Sequence, residues 1–544
     1  MAPLQPLHTF PASERTTAVP CPRRRARSPP PAPNLFLMVP LLAPAITINS
    51  MSSELVHYRK LFLMIFVLGI GGTFQYGYYM SVMNSPSPFI KQFINDTWIR
   101  RYGTSIPDAS LTLIWSMVVS VFSIGGLIGS TASGHLTGKF GKKKCQLCIT
   151  VLPLVSALLM GLSITVGHFE MLVAARFLCG FYSGLGINIH AQYVGETAPR
   201  KFRGFINTTG PMFVTLGKFC GQIVGLREIF GTEFLWPQVL LISGIISIVQ
   251  LVALPFFPES PPYLLLVQGD KEGCQKALKQ LWGDRDHQPV IDEMIKEQNT
   301  QMKGKSMGVL ELLRDHSNRN QLLTMIGLIL SLQLSGANAI YFYAYDVFRE
   351  AGFPEDRIAY VSVGVGLFEF ISTMICSLLI DRFGRKVLML GGYSLMALTL
   401  GLLTVTLSMQ KAFYWMPYCS VGLTFTFIFL YGAGPAGASI ATCVEIFAQA
   451  PRVPAFVISG IFSWGGLYIL GMIFPYIVET LQHFCFLLFL MVIVTSGTLI
   501  YFIIPETKGK SITEISQEFN KLTCRRKKME AKPAAPEGVL CSRL

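Results

Sequence analysis

Long stretches without a single Asp, Glu, Lys or Arg recur along this chain. Residues 61–90, 109–138, 145–169, 234–258, 320–345, 387–410, 412–444, 453–478 and 480–505 are such runs. A helix rises 1.5 Å per residue, so ~20 residues cross the hydrocarbon core of a bilayer, and every run is long enough. Three more apolar stretches, around 171–195, 204–226 and 358–380, carry a few charges. The pattern predicts an all-α integral membrane protein with twelve transmembrane helices. Barrel strands do not fit, because they are about 10 residues long and alternate in polarity.

Composition agrees: 51% of residues are hydrophobic and 14% charged, where a soluble chain carries about a quarter charged residues. The net charge of +14 would suit a nucleic-acid binder, but its placement points elsewhere. Lys139, Lys142, Lys143 and Lys144, then Arg200, Lys201 and Arg203, then Arg382, Arg385 and Lys386 fall in loops on one side of the predicted membrane. Cations mark the cytoplasmic side. Both termini are then expected in the cytoplasm, and no nucleic-acid partner is expected. Twelve cysteines do not suggest disulfides, since none lies in the long outer loop 81–110 and most lie in apolar spans. Cys145 and Cys148 have the spacing of a metal or redox pair but no nearby His or acid, so no metal site is expected. Arg23–Arg27 and Pro29–Pro31 mark residues 1–58 as a cytoplasmic segment expected to be disordered. Met51 precedes a plausible start, so the leader is read as an isoform or gene-model extension.

Three short patterns occur twice. Gly138-Lys-Phe-Gly-Lys-Lys143 matches Asp381-Arg-Phe-Gly-Arg-Lys386, Glu196 with Arg203 matches Glu445 with Arg452, and Pro258-Glu-Ser260 matches Pro505-Glu-Thr507. The offsets of 243, 249 and 247 residues predict two six-helix halves in the same orientation. The halves are 59–258 and 320–505, joined by a charged helical linker at 259–319 on the cytoplasmic side, with a cytoplasmic tail at 506–544. Each repeated charge sits at a predicted cytoplasmic helix end. One reading is a topology signal with a tight glycine turn; the other is a latch in which Glu196 and Glu445 pair with arginines and hold an inner gate shut.

Arg176, Glu196, Arg203, Pro258-Glu-Ser-Pro261, Gln333-Leu-Ser-Gly-x-Asn-Ala339, Asp381-x-x-Gly-Arg-Lys386, Gly434-Pro435, Glu445, Arg452 and Pro505-Glu-Thr507 follow in an order that covers about 55–515. As a set they resemble the facilitative hexose transporters of the sugar-porter branch of the major facilitator superfamily, and within them the class II subgroup associated with fructose and urate. The resemblance implies the major facilitator fold and alternating access around one midplane site. A plasma-membrane location, a monomeric functional unit and no cofactor are expected; an integral-membrane enzyme is a further rival, but the sequence has no HExxH, GxSxG, Walker loop or clustered His/Cys set, so no enzymatic activity is expected. The resemblance assigns Arg176, Glu196, Arg203, Asp381, Arg385, Glu445 and Arg452 to a cytoplasmic latch. It places an N-glycan on Asn95 of Asn95-Asp-Thr97; Asn207-Thr-Thr209 repeats the pattern at the cytoplasmic face and is read as chance.

A neutral hexose needs amides and hydroxyls around its edge and aromatic or apolar groups against its ring. Gln75 among the aromatics of the first span, and Gln333, Asn338 and Tyr341 in the seventh, supply these types. Gln333, Ala337 and Tyr341 share one face of a continuous helix, and Asn338 joins it if Gly336 loosens the turn. The lesser reading of Gln75, Gln333 and Asn338 is as ties between helices, while Tyr341 and Tyr343 read equally as packing. Gly434 and Pro435 break the tenth span and read as a hinge. Trp464 is read as stacking on the ring or filling the core, and His190 as a lining or a core residue.

Departures from the resembled pattern bear on selectivity. Pro211 and Leu332 replace glutamines, Ile440 a tryptophan and Leu467 an asparagine. Pro262 stands for arginine and Gly138 for an acid. Asn338-Ala-Ile340 resembles the pattern of fructose-permeable members, which makes Ile340 a selectivity candidate. Lys218 and Glu369 interrupt spans that are otherwise apolar. A charge within a membrane is unfavourable by roughly 2.5–3.5 kcal/mol on insertion scales. Both residues are therefore expected at a central cavity, where they attract an anion such as urate or pair with each other; in the bland reading Lys218 snorkels and Glu369 is neutral. Tyr79 stands where related proton-driven porters carry an aspartate, so facilitated diffusion is the default. Proton-coupled sugar symport, a urate carrier and a sugar-sensing receptor are the rivals. Ser542-Arg543-Leu544 resembles a peroxisomal address and is read as accidental.

Overall fold

A computed structural model describes residues 58–199, 203–303, 308–315, 318–350, 352–410, 412–447, 449–508, 510, 514–515 and 517–519. The expectations for residues 1–57, for Arg200 and Lys201 and for residues 520–544 lie outside these, as do the side chains of Arg203 and Asp381. Among the described residues every regular element is helical.

Eleven helices among them are long and apolar enough to cross a membrane. The first span is Arg59–Ser81, the second Asp108–Phe140, the third Lys142–Val166, the fourth Glu170–Thr197 and the sixth Trp236–Phe256. The seventh is Arg319–Arg349, the eighth Glu355–Ile380, the ninth Arg385–Ser408, the tenth Met416–Glu445, the eleventh Pro454–Leu481 and the twelfth Cys485–Ile503. The helix Arg203–Val224 takes the place of the fifth span; Lys218 and Gln222 lower its apolar character. Short helices Pro261–Leu266, Lys271–Trp282, Gln288–Lys303 and Val309–Arg314 lie between the halves in sequence. The charge-free run 61–90 is not one helix. It ends at Ser81, and a separate helix Ser87–Tyr102 follows with proline at its first turn.

Small residues let helices approach within each half. A Cβ on Gly125 or Gly129 of the second span would meet the backbone of Phe177 or Phe181 in the fourth. Such small-residue stripes replace the hydrophobic driving force that lipid does not supply.

The duplicated motifs build the same cap twice. In the first half, Glu259 accepts hydrogen bonds from the backbone N–H groups of Lys142 and Lys143, each at 3.0 Å. In the second, Glu506 accepts from those of Arg385 and Lys386, each at 3.0 Å. Each carboxylate thus satisfies the free N–H groups at a helix start, where negative charge is also favoured by the helix dipole. The residue before each start, Gly141 or Gly384, has φ +88° or +92°. A Cβ there would also press on the capping carboxylate, at 2.5 Å for Gly141 and 2.9 Å for Gly384. Gly141→Ala and Gly384→Ala should each destabilise the protein by ~1–3 kcal/mol, visible as a lower Tm in detergent; an unchanged Tm in both would refute this account of the turn.

Candidate functional site

The halves meet along two antiparallel helix pairs. The second and eleventh spans form one: a Cβ on Gly126 would lie 2.2 Å from the Trp464 ring, and one on Gly471 would lie 2.6 Å from Ser120 Oγ. The fifth and eighth spans form the other.

Polar and aromatic groups gather at this seam because the seventh span is broken. The helix Arg319–Gln333 stops, Leu334–Gly336 unwinds with Gly336 at φ +96°, and a new helix begins at Ala337. The expected continuous face through Gln333, Ala337 and Tyr341 is therefore not formed. Instead the break folds Asn338 back: its amide donates to Gln333 Oε1 at 2.7 Å, and Gln333 Nε2 donates to Ser463 Oγ at 2.8 Å. Beside Ser463, Trp464 meets Tyr76 of the first span edge-on at 5.6 Å and Phe122 of the second at 5.9 Å. This aromatic wedge from the second half reaches into the first. Broken backbone at membrane depth is tolerated where other groups re-satisfy it.

Lys218 and Glu369 face one another across the other pair. Lys218 Nζ donates to both carboxylate oxygens, at 2.8 and 3.1 Å. The side chains are only 7% and 4% exposed. The ammonium also lies 4.1 Å from the centre of the Tyr341 ring, a cation–π arrangement. Lys218 thus does not snorkel.

Other expected residues are placed differently. Gln75 is wholly buried; it donates to Ser247 Oγ of the sixth span at 3.0 Å and accepts from Tyr79 at 2.8 Å. Its amide ties helices within one half. Tyr341 is buried, and its hydroxyl donates to the Val365 carbonyl at 3.4 Å. Ile340 is buried in the core. His190 is buried edge-on against Phe213. Gly434 and Pro435 lie in a π-helical turn, Gly432–Ala436, packed on Gly392 of the ninth span. Such turns mark functional sites often. Asn95 is half-buried on the helix Ser87–Tyr102, and its Oδ1 accepts from the Ile106 N–H at 3.2 Å.

The charges expected to form one latch occupy two levels. Arg385 pairs with Glu445 at 3.0 Å within the second half. Glu196 takes a lysine: Lys142 Nζ lies 2.9 Å from one carboxylate oxygen, and Ser260 donates to the other. Arg452 donates to the Phe447 carbonyl at 3.0 Å. Arg176 stands apart, about 30 Å of helix rise before Glu196 on the same fourth span. It donates to the carbonyl of Tyr79 at 2.7 Å and its guanidinium covers Phe122 at 4.7 Å. It braces the first half near the end opposite the basic loops.

Several residues escaped the sequence reading. Toward that opposite end, Asn84 donates to the Tyr341 carbonyl at 3.3 Å and accepts from the Tyr345 N–H at 3.0 Å. Lys91 pairs with Asp346 at 3.0 Å, and Thr112 donates to Glu479 at 2.8 Å. Tyr360 donates to Glu228 and holds its carboxyl below the usual carboxylate range. All join the two halves. Ser463 and Tyr76 also went unnoticed, since their partners lie far away in sequence. Glu259 and Glu506 were in plain view as repeats, but only the fold shows the helix starts they cap.

Among the described residues, eleven helices able to cross a membrane and the fifth-span helix Arg203–Val224, in two repeated halves with polar and aromatic groups at the seam between them, define a multi-pass membrane carrier. Residues 64–519 match the family described as sugar (and other) transporter, and the chain belongs to that family. It is 39% identical over 452 residues to mouse solute carrier family 2, facilitated glucose transporter member 9, covering 83% of this chain and 84% of that protein. It is 38% identical to human member 11, covering 86% and 95%, and 37% identical to sheep member 5, covering 85% and 92%. These relatives fit the class II resemblance. The fold also matches a partially occluded, inward-open structure of the xylose transporter XylE from E. coli, with a TM-score of 0.68, 20% identity and coverage of 83% and 100%.

Removing one partner of a buried ion pair strands the other charge and is unfavourable by ~3–5 kcal/mol, whereas apolar replacement of both is near neutral. Lys218→Met and Glu369→Leu should each lower the Tm strongly, and the double variant should recover most of the loss. A double variant as unstable as the sum of the singles would show that the two charges act separately.

Proposed function

We propose that the protein carries a neutral hexose, fructose or glucose, down its gradient by alternating access. The observation that carries this reading is the Gln333–Asn338–Ser463 chain beside Trp464 and Tyr76, at the seam where the halves meet. The chain offers amide and hydroxyl groups to a ring edge, and the aromatics offer a face. Lys218 and Glu369 border the same seam, and their pairing cancels the cation that an anionic substrate would need. That favours a neutral sugar over a urate-like anion. His190 and Gln75 support the surrounding bundle, Ile340 shapes the wall behind Asn338, and Gly434–Pro435 is the flexing point of the tenth span. Glu196, Arg203, Asp381, Arg385, Glu445 and Arg452 stabilise the basic end.

The basic end faces the cytoplasm with both termini, by the rule that cations mark that side. The protein acts as a monomer in the plasma membrane and bears a glycan on Asn95. The relatives' names, facilitated glucose transporters, support sugar as cargo. One observation favours a second reading: Glu369 is a buried carboxylate at the seam, of the kind that proton-coupled carriers use.

Uptake of labelled fructose, glucose and urate into proteoliposomes tests both. Saturable hexose entry that stops at equilibrium under an imposed pH gradient is expected; accumulation above equilibrium favours symport, and urate entry without hexose entry overturns the proposal. Gln333→Ala and Asn338→Ala should each raise KM roughly five- to tenfold, the effect of about one hydrogen bond.

A further inference from the structure

Gln222 is a polar side chain that the central site leaves unexplained. It lies in the fifth span one turn beyond Lys218 and is fully buried. Neither its amide oxygen nor its amide nitrogen has a hydrogen-bond partner in the protein. The place is tight: a Cβ on Gly366 of the eighth span would come within 2.2 Å of Gln222 Oε1. Glycine at 366 is what admits the amide between the halves. A buried amide without partners is unfavourable, and native interiors keep few of them. A leucine would fill similar space without that penalty, so the amide points to a second conformation in which it is satisfied.

Its neighbours identify that conformation. Because the fifth and eighth spans run antiparallel, Glu228 with Tyr360, Gln222 with Gly366, and Lys218 with Glu369 form successive rungs. The rungs lead from the end opposite the basic loops toward the middle of the membrane. Opening the passage at that end requires them to part. Gln222 then faces the passage on the way to Gln333 and Asn338. An amide both donates and accepts, which suits a neutral polyhydroxylated molecule rather than an ion.

We propose that Gln222 is a hydroxyl-binding residue of the conformation open at the end opposite the basic loops, an amide that an entering sugar meets on its way to Gln333 and Asn338. Its unpaired state in the closed conformation biases the halves toward opening, against the closing pull of Lys218 and Glu369. This inference rests on the hexose-carrier reading.

The test uses the full chain in proteoliposomes. In Gln222→Cys, a membrane-impermeant thiol reagent applied from the side that carries Asn95 should label the introduced thiol, read by peptide mass spectrometry. Saturating fructose or glucose should slow that labelling severalfold. Gln222→Leu should raise the Tm of the closed conformation while lowering hexose entry about tenfold; a merely structural side chain would lower both. Labelling that sugar does not slow, no labelling from that side, or full hexose entry by Gln222→Leu would each overturn this inference alone, provided the unaltered chain takes up hexose. No hexose uptake by the unaltered chain would overturn the carrier reading and this inference with it.

Discussion

A hydrocarbon core offers no hydrogen bonds, so a polar group placed in it must find its partner inside the protein. That constraint explains where this chain keeps its charges. Lys218 and Glu369, each unfavourable alone in an apolar span, are held against each other and over the Tyr341 ring. Arg176 is covered by two backbone carbonyls and an aromatic face. Gln75 is spent on Ser247 and Tyr79. The same rule makes Gln222 conspicuous, because its amide is left out of the arrangement.

The repeat has a mechanical meaning as well as a historical one. Each half starts a long helix after a left-handed glycine and stops the open N–H groups with a carboxylate about 120 residues later, Glu259 or Glu506. The neighbouring acids Glu196 and Glu445 take a cation from the same turn, Lys142 or Arg385. These bonds lie within a half and tie its helices into a unit. The polar bridges between halves described above lie toward the other end and along the fifth and eighth spans. Bonds within a half survive a rocking motion; bonds between halves must be remade with each cycle.

Much of the architecture was legible in the sequence because hydropathy and loop charge report directly on solvent. Charge-free runs marked the spans, and three duplicated motifs marked two halves. Lys218 and Glu369 stood out as charges in apolar helices, and pairing was one of the readings open for them. What escaped depended on backbone departures and distant partners. A helical wheel placed Gln333, Ala337 and Tyr341 on one face, but Gly336 at φ +96° unwinds the chain between them. A run without charge looked continuous to residue 90, although Pro86 and Pro88 restart the helix after Ser81. Arg176 resembled a member of the basic-end network by motif alone, while its place on the fourth span sets it at the other level.

Neutral cargo and a buried ion pair are compatible for a physical reason. A free ammonium beside the passage would attract anions and hold them, whereas a lysine matched by a carboxylate presents a dipole with little net field at a distance. The attraction between the two acts on the halves instead of on the substrate. The Trp464 wedge works the other way: it fills the groove over Gly126 by shape, without a directional bond. Near its middle, one helix pair therefore closes by charge and the other by fit, with the Thr112–Glu479 hydrogen bond at the outer end of the second. A carrier needs both, because a seam sealed only by charge would be too costly to part in a low dielectric, and one sealed only by fit would lack a polar surface for a sugar once parted.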